Sequence, residues 1–313
     1  MLLIIWYNVI FNAQVSVLPM ASVPSSVVKY ITDNIPYPAG VIGCRAALDR
    51  LSYSCCEYDI AIFCKNGKPN IHRIVILDGI IIKFIAFSKF DEIDYVSIRD
   101  MIILNDYDSF FVSSLLAKLK EKRYNQILKT HGKRKIIESL FLIEAIDRNL
   151  SKYPQLSSLW LKIAAYHFTE GILAIHGVKS SPVHELDQIR CLDMKGRKIV
   201  SGIDSALDCI GIERAGRSAI SRSLKVIKIL NKEEVCHGLW LAKSQWLLSQ
   251  GRVADCYYYI GKLAARYFAS KDDIFLRRNL QPIEILLDLT RDSYSIYKLH
   301  CQLVRASKEA LRT

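Results

Sequence analysis

Ala39-Gly40-Val41-Ile42-Gly43-Cys44-Arg45-Ala46, followed by Cys56-Glu57-Tyr58-Asp59-Ile60-Ala61-Ile62-Phe63, decides the fold of this chain. The stretch reaches from Tyr37 to an apolar run that ends Ile80-Ile81-Ile82-Lys83-Phe84-Ile85-Ala86-Phe87. It reads as a strand, a glycine turn opening a short helix, and a second strand that carries two carboxylates. Residues two apart on a strand point to one face, so Glu57 and Asp59 should project together. Carboxylates that close repel one another unless a cation lies between them. Such an oxygen pair suits Mg²⁺, which also takes oxygens from substrate phosphates.

Working outward, Asn66-Gly67 separates the run Asp59–Lys65 from Ile71–Leu77, and Asp78-Gly79 separates that run from Ile80–Phe87. Both dipeptides favour tight hairpins. The expectation is therefore three consecutive hairpin-connected strands. Their near-continuous apolar character predicts a sheet covered on both faces. Upstream, Pro24 to Asn34 has helical periodicity, and Ile35-Pro36-Tyr37-Pro38 breaks it.

In order and context these motifs resemble the small nucleotidyltransferase domain of the polymerase-beta superfamily. Gly43-Cys44-Arg45-Ala46 is similar to its Gly-Ser-Arg-Ala turn, and Cys56-Glu57-Tyr58-Asp59 to its Ser-Asp-x-Asp strand. The resemblance covers about the first third of the chain. It implies Mg²⁺ held by Glu57 and Asp59, and triphosphate positioned by Gly43 and Cys44 with Arg45 neutralising charge. The reaction implied is transfer of a nucleoside monophosphate from a nucleoside triphosphate to an acceptor. Three departures accompany it: Cys44 replaces a serine, Glu57 replaces an aspartate, and Lys83 stands nearest the place of the third carboxylate. A lysine facing Glu57 and Asp59 would make the site a salt-bridged relic that binds nucleotide, RNA or a protein. Otherwise Asp78, Asp91, Glu92 or Asp94 supplies the third carboxylate, or a one-residue slip turns Lys83 to the other face.

The 313 residues suffice for a sizeable core, and their composition, 51% hydrophobic and 24% charged, excludes a disordered chain. A formal net charge of +12 favours anionic partners, RNA or DNA among them. The basic clusters Lys118–Arg123 and Lys133–Lys135 are the candidate phosphate contacts. Nine cysteines without zinc-finger spacing read as reduced, buried thiols of a cytoplasmic protein. Residues 1–19 are apolar but interrupted by Asn8, Asn12 and Gln14, and no membrane association is expected. Met20 reads as the natural start.

After Leu104 the periodicity turns helical. Helices are expected over Lys135–Leu150, Leu156–His176, Gly202–Ala215, Ala219–Leu230, Glu233–Ser249, Val253–Phe268 and Gln281–Leu311, the last broken near Arg291–Ser293. The segment from Ala164 to Gly177, with Pro182 and His184, resembles bundles that accompany small nucleotidyltransferases, including the higher-eukaryote-and-prokaryote nucleotide-binding type. That family's paired Arg and His are absent, so ribonuclease activity is not expected. His167, His176 and His184 read as packing or surface residues rather than metal ligands. The expected class is thus α+β: an apolar extension (residues 1–19), a mixed-sheet domain (20–105) and a helical bundle (106–313). Its apolar helical face is compatible with a homo-oligomer.

Overall fold

Asp78 and Gly79 both adopt left-handed backbone angles, φ 49° and 79°, which a two-residue hairpin turn demands. They join β3 (Ile74–Leu77) to β4 (Ile80–Phe87), with Leu77 paired to Ile80, as the sequence predicts. The computed structural model describes residues 23–46, 52–64, 74–87, 96–106, 121–194, 202–230 and 237–312. The sheet is completed by β1 (Ala39–Ile42), β2 (Tyr58–Phe63) and β5 (Ile102–Asn105), in the order β3-β4-β2-β1-β5.

The second expected hairpin is corrected. β2 does not pair with β3; it lies between β1, antiparallel, and β4, parallel. The reason is burial. From Ile60 to Phe63 β2 is wholly buried and needs a partner on each edge, and the eight residues of β4 supply one. A parallel pair requires a crossover of a dozen or more residues. Sixteen residues separate β2 from β4 in the chain, and β3, within that stretch, lies at the edge of the sheet. Cover on both faces accordingly holds for the central strands, whereas Ile76 of β3 is 70% exposed. Asn66 and Gly67 lie outside the described residues.

The strand register divides the sheet into two faces. Val41, Ile60, Ile62, Ile82 and Phe84 pack under α1 (Ser25–Asn34) against Val27 and Ile31. Ile42, Ala61, Phe63, Ile85 and Phe87 form the other face with Ile98 and Met101. Ile42, Asp59, Lys83 and Ile74 are directly paired in one row across β1, β2, β4 and β3. Lys83 therefore sits in the same row as Asp59, with no register slip.

The rest is helical: α2 (Glu121–Asn149), α3 (Pro154–Ile175), α4 (Glu185–Met194), α5 (Ile203–Ile210), α6 (Arg217–Leu230), α7 (His237–Ser249), α8 (Val253–Ala269), α9 (Asp273–Arg278), α10 (Leu280–Leu287) and α11 (Ser293–Arg312). α2 begins fourteen residues before the expected Lys135 and runs through Gly132. Gly132 serves helix packing rather than a turn. A β-carbon there would come within 2.6 Å of the Gly171 carbonyl of α3, so the two glycines bring these helices together. His131 to Lys135 thus lie on a helix, where Arg134 and Lys135 are paired with Glu138, and Lys118 to Lys120 fall outside the described residues. α4 was not anticipated. The expected break in the C-terminal helix is present and begins slightly earlier: α10 ends at Leu287, Asp288 turns left-handed with φ 50°, and α11 starts at Ser293.

α3 is the central helix, buried on nearly all sides, and carries Lys162 into the core. Its ammonium donates to the carbonyl of Ile210, at 2.8 Å, and to that of Leu287, at the C-terminal ends of α5 and α10. Cations satisfy the unpaired carbonyls of helix C-termini. Among the described residues no helix is long and apolar enough to cross a membrane.

Candidate functional site

Gly43, the first residue after β1, has φ +75°, a conformation glycine adopts without strain. A β-carbon at this position would stand 2.9 Å from Oδ2 of Asp59. The turn and the carboxylate therefore meet, as the spacing predicts. Gly43, Cys44, Glu57 and Asp59 all line one cavity of about 470 Å³ between the sheet and the helical bundle. That volume falls in the range of small-molecule sites. Arg45 is directed elsewhere. Its guanidinium donates to the carbonyls of Ser54 and Cys56, at 2.8 to 3.1 Å, and lies over the Tyr58 ring. It fastens the loop before β2 and is not among the cavity residues.

Each carboxylate faces a lysine. Lys83 Nζ lies 3.7 Å from Asp59 Oδ1. Lys243 of α7 forms an ion pair with Glu57, which precedes β2 by one residue. Glu57 and Lys243 are both buried. Burial, then the neighbouring charge of Glu57, pushes the Asp59 carboxyl up to about 6, against the opposing pull of Lys83 and Lys243. Burial opposes the charge of Lys243, yet Glu57 dominates and raises its pKa.

The opposite wall is the turn Gly177–His184 between α3 and α4, with Trp240 and Lys243 of α7 and Arg266 of α8. Lys179, Arg99 and Asp100 add charge to the lining. Asp100 is a carboxylate that sequence reasoning did not select; it is half-exposed and 3.7 Å from Arg99. Of the alternatives proposed for a third carboxylate, Asp78 sits in the β3–β4 turn and does not line the cavity. Asp91, Glu92 and Asp94 lie outside the described residues. Behind this wall Glu185 accepts from Lys262, Ser180, Tyr258 and Thr169, which fixes the turn from its buried side.

A thiol cluster adjoins the carboxylates. Cys56 Sγ lies 3.2 Å from His184 Nε2, and Cys44 completes a trio whose donor atoms all fall within 4.8 Å of one another. Hydrogen bonds from Cys44 and Cys55, and then His184, hold Cys56 far below the ordinary thiol range. The same contact with Cys56, with burial, pushes the Cys44 thiol up. Sequence spacing could not reveal this group, because Cys44 and His184 are 140 residues apart. No protein-family model, curated protein or solved structure matches this chain.

Proposed function

We propose that the cavity binds a nucleoside triphosphate through protein cations, in a nucleotidyltransferase-like site that has lost metal-dependent transfer. The observation that carries this reading is the direct pairing of Asp59 with Lys83 across β2 and β4. Two carboxylates facing two ammoniums sum to a formal charge of about zero by counting ionised groups. A hard divalent cation is held by the number of anionic oxygens offered to it, so this set is a poor Mg²⁺ site. The same lysines are donors for phosphoryl oxygens, as point charges at the end of flexible stems. Lys179 and Arg266 add positive charge across the cavity, and Trp240 offers an aromatic face for a base.

A second reading, Mg²⁺-dependent transfer of a nucleoside monophosphate, is favoured by one observation. Asp59 Oδ1 is buried with no hydrogen-bond donor, since Lys83 stands too far away for one. Pyrophosphate release distinguishes the two. With nucleoside triphosphates, Mg²⁺ and a pool of RNA and small hydroxyl acceptors, the chain is expected to release none above background. Robust release that Asp59→Ala abolishes would establish the transferase instead.

A further inference from the structure

We infer that Cys44, Cys56 and His184 form a zinc site that ties the sheet domain to the helical bundle. The three ligands come from three places: the turn after β1, the loop before β2, and the residue preceding α4. Tetrahedral zinc at its usual bond lengths places sulfur and nitrogen ligands about 3.5 Å apart, and two sulfurs about 3.8 Å apart. The observed 3.2 Å from Cys56 Sγ to His184 Nε2, within a trio no wider than 4.8 Å, brings the three donors within reach of one ion. Thiolate and imidazole donors select a soft or borderline ion such as zinc over Mg²⁺. The site adjoins the carboxylate pair but differs from it in donor chemistry, and the inference stands whether or not the cavity binds nucleotide.

The surroundings hold the ligands in place. Cys56 and His184 are buried, and Cys44 is half-buried. The Tyr53 ring lies 4.2 Å from the His184 ring and stacks on Trp246, and its hydroxyl donates to Asp187. His184 is further fixed by its backbone N–H, which donates to Ser181. Cys55, the chain neighbour of Cys56 and itself half-buried, is a candidate fourth donor. Two adjacent thiols cannot both ionise without a cation; binding zinc releases their protons and removes that repulsion.

The test uses the full chain, purified under reducing conditions from zinc-supplemented medium. Elemental analysis is expected to find about one zinc per chain, the complement of a single site. Cys44→Ser and His184→Asn should each abolish it, and Cys301→Ser, an exposed thiol elsewhere, should leave it unchanged. To cover variants that fail to fold, the wild type is stripped with a chelator and titrated with Co²⁺. A tetrahedral visible spectrum with a thiolate-to-cobalt charge-transfer band is expected, weakened by Cys55→Ser if that residue is the fourth ligand and unchanged if solvent is. Either result for Cys55 upholds the site of Cys44, Cys56 and His184. A chain without bound metal, a cobalt spectrum without the thiolate band, or a Cys44–Cys56 disulfide in the reduced preparation would overturn the inference.

Discussion

Lys83 and Asp59 are direct partners across two parallel strands, with Nζ 3.7 Å from Oδ1. The lysine opposes the burial and the Glu57 charge that push the Asp59 carboxyl up to about 6. Lys83→Met should therefore raise the Asp59 pKa further, and Glu57→Gln should lower it. Carboxyl carbon chemical shifts followed through a pH titration measure both. A Lys83→Met variant with an unmoved Asp59 titration would show that the pair does not interact electrostatically.

Glu57 and Lys243 are a buried ion pair with little solvent to replace either partner. Removing one member leaves an uncompensated charge, which costs about 3–5 kcal/mol. Lys243→Met is expected to lose stability on that scale in denaturant unfolding. The double variant Lys243→Met with Glu57→Gln should recover most of it. A single variant as stable as wild type would mean that solvent already satisfies Glu57.

Much of the sheet domain was legible because its signals are local. The Asp78-Gly79 turn and the positive-φ Gly43 each depend on neighbouring residues, whereas the strand expected to carry both carboxylates begins at Tyr58 and carries only Asp59. The position of β3 was not legible, since an edge and a centre differ by which strand needs two partners. Gly132 carries no local mark of its role, and only its contact with Gly171, 39 positions on, explains a glycine inside a helix. Lys243 and His184 complete the site from the helical bundle. A lysine in α7 and a histidine before α4 carry no local mark of the carboxylate or thiol they meet.

Lys162 gives the fold a pH dependence. Burial lowers its pKa to about 7, against 10.5 in the ordinary lysine. Between these values the unfolded chain binds a proton that the folded chain does not, so the contribution of Lys162 makes stability rise with pH across that window. Below about 7 both states are protonated, and the contribution is constant. The stability of wild type minus that of Lys162→Met should therefore increase from pH 7 towards pH 10, by up to about 1.4 kcal/mol per pH unit. Parallel urea titrations at several pH values measure it; a difference that stays flat would show a normally ionised Lys162.

Titration calorimetry of ribonucleoside triphosphates, with Mg²⁺ and with excess chelator, tests the central claim most directly. If protein cations replace the metal, binding persists in chelator with an affinity within a few-fold of that in Mg²⁺. Lys83→Met should then weaken it by about tenfold, the equivalent of 1.4 kcal/mol. Binding that appears only with Mg²⁺ and is strengthened by Lys83→Asp would contradict the account, as would no binding of any triphosphate under either condition.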